Sequence, residues 1–534
     1  MKKITLLMVC LLTTIFANAQ WNSDTAINTL VSNSNAGDTQ SVVGSNDYTY
    51  IVFWKSIASP TNYELRIQIL DDSGNQLLGA DGSLISNTIP MSTFTQVWSL
   101  ILDDSNNVYI GLTGTAGNVG RAFKLDSNGN NLWTSNGLDL GTAYTVRIQP
   151  LPTDDVLISK LNGSNFNGEI QKYDSDGAAI WANPTSLGSG TVPANLYELS
   201  NGDFISVYHV LGSGITSTMY AQRFNDSGVA QWANPTQLFA SGNNTAYNTT
   251  YFGAQDGDNI YYSYKLAHDS RFDAYVQRIN PDGTLPWGIT GMDFDIRQTN
   301  YEQEIQIAYQ PGSTSIWALC RYTDAAQGQV GIYIQSFDKT TGARQLTDNA
   351  KAVYTISNLG ISPVGNFRLT NSGQPIFLTA IIDNSLNVNL LDSNGDFVWT
   401  EGTKPLATST GSKSRINFHA FSNNDFVTTF VENRTGTSLA YAQNFTDNAL
   451  SINEVDEIDD LQFINPITNR LELKSNHTIQ EVSVYNTLGQ LINKIEKNNS
   501  NTLTIDSENW NPGMYLVHVK TTQNKNQVVK IIKE

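Results

Sequence analysis

The chain has 534 residues, of which 40% are hydrophobic, 10% aromatic and only 15% charged, with a formal net charge of -18 at pH 7. The charged share lies well below the roughly 25% of typical globular domains, and with many Tyr, Thr, Asn, Ser and Gly residues it favours an extracellular all-β protein. The negative charge argues against binding to nucleic acid or to an anionic membrane surface, because both are bound mainly through positive charge.

The chain begins MKKITLLMVCLLTTIFANAQ, a basic start followed by an apolar run and small residues. This pattern predicts a secretory signal peptide over 1–19, cleaved between Ala19 and Gln20. The apolar run is too short for a transmembrane helix, and no later segment qualifies. A lipoprotein anchor at Cys10 is disfavoured, because Val9 rather than a small residue precedes it. Cleavage leaves Cys320, in the apolar run IWALC, as a predicted buried thiol.

The body of the chain is a repeat. Seven segments share a turn glycine with a large apolar residue four positions later: LDDSGNQLL, LDSNGNNLW, YDSDGAAIW, FNDSGVAQW, INPDGTLPW, FDKTTGARQL and LDSNGDFVW. The glycines, 48 to 59 residues apart, are Gly74, Gly129, Gly177, Gly228, Gly283, Gly342 and Gly395. The large residues are Leu78, Trp133, Trp181, Trp232, Trp287, Leu346 and Trp399. An eighth, weaker copy, QNFTDNALSI, occupies 443–452.

Each copy predicts four short strands: a hairpin with a polar tip, a third strand, the Asp-x-x-Gly turn and a fourth strand. Four strands per repeat of about 50 residues predict a β-propeller, because β-helix repeats are shorter and sandwich domains are nearer 100 residues. Eight copies of the first three strands occur, but only seven have a good fourth strand. The segment QWNSDTAINTL resembles QWANPTQL. We therefore expect residues 21–32 to close an eight-bladed propeller over 20–450, with seven blades as the alternative.

The Asp-x-x-Gly segment could hold a metal ion or form a turn. Asp226 and Ser227 of FNDSGVAQW shift the acidic position relative to YDSDGAAIW, and ligand spacing that drifts between copies argues against a shared metal site. Asp, Asn and Ser initiate turns and Gly accepts positive φ, so a turn is expected and no metal or cofactor is predicted. The large aromatic residues are expected to dock one blade on the next; they are Trp133, Trp181, Trp232, Trp287 and Trp399.

The pattern Leu-Asp-x-x-Gly-x-x-x-Trp resembles the tryptophan-docking repeat of quinoprotein-type eight-bladed propellers and of related outer-membrane assembly proteins. The resemblance covers one turn and one strand in each blade, and it implies the fold and the blade count. It does not extend to the dehydrogenase activity, because those enzymes have an adjacent cysteine pair and a calcium site, whereas this chain has one mature cysteine, Cys320.

After residue 450 the repeat ends. Residues 451–460 predict an acidic solvated linker, with five acids among the seven residues 454–460. Residues 461–534 alternate strand and turn signals and predict a small Ig-like β-sandwich of about seven strands. This tail resembles the type A C-terminal sorting domain of the type IX secretion system, although Ile464 replaces the usual first proline of its opening motif. The matching residues are Asn465, Pro466, Gly489, Gly513, Tyr515 and Lys530. The resemblance implies export across the outer membrane, with the secretion machinery as the partner.

Common catalytic motifs are absent from the sequence. The propeller histidines His209, His268 and His419 fall in three different repeats, and packing or surface roles are expected for them. Phe94, Tyr144, Tyr247 and Tyr301 stand just before the first strand of four repeats, where they are candidates for a ligand collar or for packing between blades. We therefore expect a secreted or surface-bound protein that binds a glycan or a protein. The alternative is an extracellular polysaccharide hydrolase or lyase with dispersed acids.

Overall fold

The computed structural model describes residues 21–22, 24–57, 62–88, 96–114, 118–214, 216–246, 252–268, 271–434, 436–446, 461–486, 490–522 and 526–534. The chain divides into two compact units, Met1–Phe445 and Thr446–Glu534. All the regular secondary structure within the described ranges is β-strand. No helix long and apolar enough to cross a membrane is found in that part of the chain. Several predictions concern residues outside these ranges, namely the signal peptide with Ala19 and Gln20, the linker 451–460, Phe94, Tyr247 and Gly489.

The first unit contains 32 described strands. In chain order they are β1 Thr29–Leu30, β2 Gly37–Val43, β3 Thr49–Ile57, β4 Asn62–Leu70, β5 Ser83–Ser86, β6 Gln96–Leu102, β7 Val108–Gly114, β8 Val119–Leu125, β9 Leu138–Pro150, β10 Val156–Asn162, β11 Asn167–Tyr173, β12 Thr185–Ser189, β13 Thr191–Glu198, β14 Phe204–Leu211, β15 Thr216–Phe224, β16 Thr236–Gln237, β17 Thr245–Ala246, β18 Gly253–Asp256, β19 Asn259–His268, β20 Arg271–Ile279, β21 Met292–Asp293, β22 Tyr301–Ala308, β23 Ser315–Thr323, β24 Val330–Asp338, β25 Lys351–Ser357, β26 Ser362–Leu369, β27 Pro375–Ala380, β28 Leu386–Leu390, β29 Thr403–Ala407, β30 Lys413–Ala420, β31 Phe426–Asn433 and β32 Ser438–Phe445.

The strands form antiparallel sheets of consecutive strands, one sheet after another along the chain. Four-stranded sheets are β2–β5, β18–β21, β22–β25 and β26–β29, and β13–β16 carries β17 as an extra partner of β15. Strands β6–β12 form one seven-stranded sheet, because β9 is 13 residues long and pairs with β8 through its first part and with β10 through its second. Repeated four-stranded antiparallel units of this kind are the arrangement of a propeller-like fold.

The last sheet takes its fourth strand from the other end of the chain. Its order is β1-β32-β31-β30, with Thr29 opposite Ala442 and Leu30 opposite Tyr441. The paired segment is only two residues long, but contacts on either side extend it: Thr408 N donates to Thr25 O at 2.8 Å and Val31 N donates to Ala440 O at 2.9 Å. The N-terminal segment therefore covers the exposed edge of β32.

Cores form between successive sheets rather than within one sheet. The second strands are largely buried, and in β7 all seven residues are buried, because such strands have neighbours on both faces. One core joins residues of β3 and β4 to residues of β7 and β8. Another joins Ala440 and Ala442 of β32 to Phe53 of β3, with Val31 between them. Packing therefore runs from the last sheet back to the first.

The first strand of most sheets carries a β-bulge, which redirects a side chain towards the neighbouring sheet. A bulge between Gly37 and Gln40 lets Gln40 Nε2 donate to Val97 O at 2.8 Å. Between β22 and β26, Gln306 Nε2 donates to Gly365 O at 3.0 Å. These amide groups connect adjacent first strands through backbone atoms, so they fix the spacing of the sheets near the centre of the unit.

The repeated turns lie against the large residue of the preceding repeat. Trp133 Nε1 donates to Ser175 O at 3.0 Å, and Trp181 Nε1 donates to Asp226 O at 3.0 Å. The same bond joins Trp232 to Pro281 O, Trp287 to Thr340 O and Trp21 to Asp72 O. Each acceptor belongs to the Asp-x-x-Gly turn of the next repeat. Trp399 contacts the ring of Phe445 at 5.8 Å, and residues 447–450 of the last repeat lie outside the described ranges.

The turn glycine is needed both for its positive φ and for the close approach of the docked side chain. Gly283 has a φ of +86°, and a Cβ built on it would lie 2.9 Å from the indole of Trp232. In the first repeat, a Cβ on Gly74 would lie 2.8 Å from Trp21, and a Cβ on Gly129 would lie 2.9 Å from Leu78. Glycine therefore supplies both the left-handed backbone and the room for the docked side chain.

The second unit is a single five-stranded sheet. Its strands are β33 Gln462–Phe463, β34 Arg470–Asn486, β35 Leu491–Asp506, β36 Gly513–Thr521 and β37 Asn526–Lys533. The order is β33-β34-β36-β37, with β35 also on β34. About seven strands were predicted. The described number is smaller because β34 and β35, of 17 and 16 residues, each continue through an irregular register where the sequence suggested a break.

Candidate functional site

The two described members of the predicted aromatic collar are in contact with other aromatic rings. Tyr144 lies 5.2 Å from the ring of Phe166, and Tyr301 packs edge-on against Phe272 at 5.9 Å. Tyr301 is on β22 and Phe272 on β20, so this second contact joins two sheets. Both tyrosines are half-buried. The contacts give these rings a packing role between strands.

The polar side chains of the repeated turns are occupied within the turns. Asp71 Oδ1 accepts hydrogen bonds from the backbone N–H groups of Ser73 and Asn75. In the copy that contains Asp226, Asn225 Oδ1 accepts from Ser227 N and Val229 N, while Asp226 forms an ion pair with Lys172 at 2.5 Å. Among the described residues, no group of three or more His, Cys, Asp or Glu residues is arranged to hold a metal ion.

The two described propeller histidine side chains are buried beside arginines. His419 Nε2 lies 3.0 Å from Ser41 Oγ, and its Nδ1 faces Arg368 Nη2 at 3.4 Å. Burial, with a contribution from Arg368, lowers the pKa of His419 to about 3, and burial beside Arg147 lowers that of His209 similarly. Because the guanidinium donates to Nδ1, Nε2 carries the proton and donates to Ser41. His419 therefore cannot act as the base that activates this serine.

Two buried acids meet at the hydroxyl group of Tyr322 on β23: Asp295, which follows β21, and Glu302, which is on β22. The hydroxyl lies 2.9 Å from Asp295 Oδ2 and 3.1 Å from Glu302 Oε1. Burial raises the pKa of Glu302 well above its usual value. The Tyr322 hydroxyl is thus within donating distance of both acids, while Arg297 Nη2 pairs with Asp295 at 2.6 Å. The two acids are 1% and 2% exposed, so this pair holds two sheets together and does not face a polysaccharide.

An open cleft of about 590 Å³ lies between the β22–β25 and β26–β29 sheets. Its wall is the hairpin tip 310–315 between β22 and β23, and its other side is formed by residues of the turns at 370–374 and 392–395. The lining residues used below are Trp317, Ser336, Gln345, residues 372–373 and Ser393. None of the lining side chains is ionisable, in a chain of net charge -18. We refer to this feature as the neutral cleft.

Serine hydroxyls fix the amide of Gln345 at the neutral cleft. Ser315 Oγ donates to Gln345 Oε1 at 2.6 Å, and Ser336 Oγ donates to the same oxygen at 2.7 Å. Both serines are held by strands, on β23 and β24. Gln345 itself is exposed, in the turn that follows β24. The amide is thereby oriented with its oxygen occupied, which leaves Nε2 as a donor towards solvent.

A second cleft, of about 210 Å³, has the opposite character. It is formed by the hairpin tips that follow β6 and β9, with Asp103, Asp104, Asp154 and Glu198 among its lining residues. Burial raises the pKa of Glu198, and Asp104 adds to this shift. The contrast shows that the neutral cleft is not the usual surface of this unit, whose hairpin tips are otherwise rich in carboxylates.

The C-terminal unit joins its first motif to its last strand. Asn465 Nδ2 donates to Lys530 O at 3.0 Å, and Asn465 Oδ1 accepts from Ile532 N at 2.8 Å. After Pro466, Ile467 forms a parallel bridge with Lys533. Tyr515 packs on Trp510 at 4.9 Å, and its hydroxyl donates to Asn511 O. Gly513 begins β36, and the Lys530 side chain is exposed on β37.

Residues 463–534 match the family model described as a Secretion system C-terminal sorting domain. This confirms the interpretation of the tail that was drawn from its motifs. A sorting domain of this type implies recognition by the type IX secretion machinery, with secretion to the cell surface or the medium. The hydrogen bonds of Asn465 show how the opening motif of the sorting domain is held against its terminal strand.

No curated protein matches the chain significantly. Among solved structures, a prolyl endopeptidase is similar with a TM-score of 0.40 and 12% identity over 76% of this chain, which spans 54% of that structure's length. The Dos1 propeller is similar with a TM-score of 0.43 and 10% sequence identity, and the match covers 78% of this chain and 95% of that structure. The β-propeller domain of the Trilobed protease from Pyrococcus furiosus gives 0.37 and 10%, covering 80% and 99%. Similarity at this level provides no information about activity.

The neutral cleft was missed in the sequence, although one signal for it was present. The hairpin tip QPGSTS at 310–315 contains no acid, whereas other tips read LDDSNN or LSNGDF. The same repeat has Leu346 in place of the usual Trp, and its turn, FDKTTG, is one residue longer than the others. The longer turn sets this repeat apart, whereas Leu78 of the first repeat and the acid-free tip at 370–374 of the next repeat share the other two features.

Proposed function

We propose that the protein is exported by the type IX secretion system and acts outside the cell as an eight-bladed, tryptophan-docked propeller that binds an extracellular glycan or protein. The signal-like N-terminus and the sorting domain support the route. The β1–β32 pairing and the chain of Trp-to-turn hydrogen bonds support a closed ring. The neutral cleft is the observation that supports binding, because it is a preformed concave surface with fixed polar groups.

Eight blades follow when the seven-stranded sheet is divided at β9. Strands β6–β8 with the first part of β9 then form one blade, and the rest of β9 with β10–β12 forms the next. In this proposal five blades are docked on their successors by Trp133, Trp181, Trp232, Trp287 and Trp399, and Leu78 and Leu346 stand at the same position in two others. Trp21 does the same between the last blade and the first.

The export proposal has a direct test. Residues 461–534 are fused to a reporter that folds in the periplasm, in a bacterium with an active type IX system. We expect the reporter to reach the cell surface or the medium. A matched fusion carries Asn465→Ala and Tyr515→Ala. These changes remove the hydrogen bonds of Asn465 to the last strand and that of the Tyr515 hydroxyl to Asn511 O, so this fusion should stay in the periplasm. A wild-type fusion that stays in the periplasm would contradict the route.

The binding proposal is tested with the purified mature chain at full length. The protein is presented with soluble polysaccharides and with extracellular protein fractions, and both retention and product release are measured. Retention of a glycan or protein without new reducing ends is the expected result. Release of oligosaccharides would favour the hydrolase or lyase alternative, and retention of nothing would contradict a binding function.

A further inference from the structure

We infer that the neutral cleft binds an uncharged saccharide, an inference that rests on the proposed binding function and names the ligand class. Its volume of about 590 Å³ falls within the range of small-molecule sites, about 300–1,000 Å³. The cleft offers hydroxyl, amide and backbone groups from residues 310–315 and 372–373, together with Ser393. Hydrogen-bonding groups without charge match a ligand whose polar groups are hydroxyls.

Charged side chains of the sixth repeat are paired with carboxylates, among them Lys351, which pairs with Asp396 at 2.6 Å. Lys339 pairs with Asp256 at 2.8 Å, and Arg344 pairs with Asp348 at 3.7 Å. An anionic polymer would therefore find no free cation in the cleft and would be repelled by the net charge of -18. A cationic ligand would find no carboxylate in the lining. Since both anionic and cationic ligands are disfavoured, we expect the ligand of the neutral cleft to be uncharged.

The donors of the neutral cleft are held in place before any ligand arrives. Gln345 Oε1 accepts from Ser315 and Ser336, so a sugar hydroxyl can accept from Gln345 Nε2 without any rotation of the amide. Among the described residues, the side-chain hydrogen bonds of Gln345 are both made by Oε1, which leaves Nε2 for a ligand. Preorganised donors favour binding, because little side-chain entropy is lost when the ligand forms its bonds.

A small apolar area lies among these polar groups. Trp317 is 7% exposed and contributes an edge to the lining, and Pro311 of the hairpin tip 310–315 contributes as well. Saccharide rings have an apolar face of C–H groups as well as hydroxyls, so an indole edge and a proline ring give that face something to contact. Apolar surface combined with a few fixed polar groups is the usual composition of a ligand site.

The neutral cleft also occupies the junction where the docking pattern changes. At four junctions a Trp donates to the carbonyl of the second residue of the next turn, as Trp181 does to Asp226. At this junction the docking position is Leu346, and the second residue of the next turn is Ser393, which lines the cleft. Leu346 still packs at the docking position, 3.5 Å from where a Cβ on Gly395 would lie, and because leucine is smaller than indole we infer that this junction is less tightly filled than those docked by Trp.

The test uses the mature full-length chain in affinity gel electrophoresis. Four neutral polymers (dextran, mannan, xyloglucan and laminarin) are compared with two anionic ones, alginate and polygalacturonate. We expect at least one neutral polymer to retard the protein and neither anionic polymer to do so. Retardation by the anionic polymers alone, or by no polymer, would overturn the inference. Retention of a protein ligand only would overturn the saccharide inference and leave the proposed binding function standing.

Two substitutions test whether the polymer binds at the neutral cleft, and each has a matched control. Gln345→Glu keeps the oxygen that accepts from both serines but replaces the Nε2 donor with a negative charge, so affinity for the retained polymer should fall at least tenfold. Gln231→Glu changes the equivalent exposed residue, three positions after Gly228, and should leave affinity unchanged. Equal affinity in Gln345→Glu and the parent would overturn the assignment to this cleft.

Leu346→Trp is the second change. It restores the indole at the junction and should weaken binding without destabilising the chain, whereas Leu78→Trp makes the same change at the first junction and should not affect binding. If Leu346→Trp bound the polymer as tightly as Leu78→Trp, while its thermal midpoint showed that it was folded, the neutral cleft would not be the site.

Discussion

The docking of Trp232 provides the sharpest test of how the ring is held together. Its indole packs on Gly283, where a Cβ would lie only 2.9 Å away, and its Nε1 donates to Pro281 O at 3.1 Å. The side chain also contacts the core shared by β15 and β19. Trp232→Ala removes all of these contacts and leaves a cavity, so it should cost about 3 kcal/mol, the low end for Trp→Ala because the ring is half-buried.

A second substitution separates packing from hydrogen bonding. Trp232→Phe keeps an aromatic ring and loses the Nε1 donor, but Pro281 O also accepts from Arg223 Nη1 at 3.0 Å and is not left without a partner. The net loss should therefore be about 1 kcal/mol, the usual contribution of one hydrogen bond. Two repeats have leucine at this position, Leu78 and Leu346, which agrees with packing as the larger contribution.

The assay is differential scanning calorimetry of the full chain, in which the transition of the larger unit is followed separately from that of the sorting domain. The expected order of midpoints is parent, Trp232→Phe and then Trp232→Ala, with the largest gap before the alanine variant. An alanine variant with the midpoint of the parent would refute the docking role. A phenylalanine variant as unstable as the alanine variant would assign the effect to the hydrogen bond instead.

Three further predictions concern strain and titration, and urea unfolding midpoints measure each of them. Gly283→Ala at φ +86° adds a clash with Trp232 and should cost at least 1 kcal/mol more than Gly79→Ala, which has φ +75° and no neighbour within 4 Å; equal losses would contradict the clash. Burial raises the folded-state pKa of Glu302 above 4.5, so stability should fall as pH rises above about 4.5, and Glu302→Gln should flatten that fall. The folded-state pKa of His419 is about 3 against 6.5, so this histidine should lower stability by on the order of 4 kcal/mol between pH 6.5 and 3, and an unchanged slope in His419→Gln would contradict this.

Local signals account for what the sequence predicted well. An Asp or Asn, two variable residues and a Gly form a turn through bonds within five consecutive positions, as Asp174 shows with Asp176 N and Ala178 N. The flanking strands alternate polar and apolar residues, so their existence follows from the same short window. The sorting domain was predicted because its motifs run in a fixed order through the whole tail, and the family match over 463–534 confirms it.

Interactions between distant residues account for what the sequence did not predict. The neutral cleft brings Ser315 and Gln345 together across 30 positions and adds Ser393 from the next sheet. The acid pair at Tyr322 depends on a register that places Glu302 and Asp295 on either side of one phenol. In the second unit, β34 continues through the irregular stretch between Lys474 and Ile479 because both its halves pair with β35, a fact that no local pattern contains.

In a repeat protein, the positions that the copies share define the fold. A binding site is expected where one copy differs from the others. Agreement between copies fixes the docked large residue, the turn glycine and the carbonyl acceptor, and these positions are then unavailable to a ligand. The sixth repeat departs from this pattern at Leu346, in the longer turn ending at Gly342 and in the uncharged tip at 310–315. The neutral cleft lies in this part of the unit. Leucine also stands at the docking position of the first repeat, Leu78, so we attribute the cleft to the smaller docking residue, the longer turn and the uncharged lining acting together, and not to the loss of a single indole.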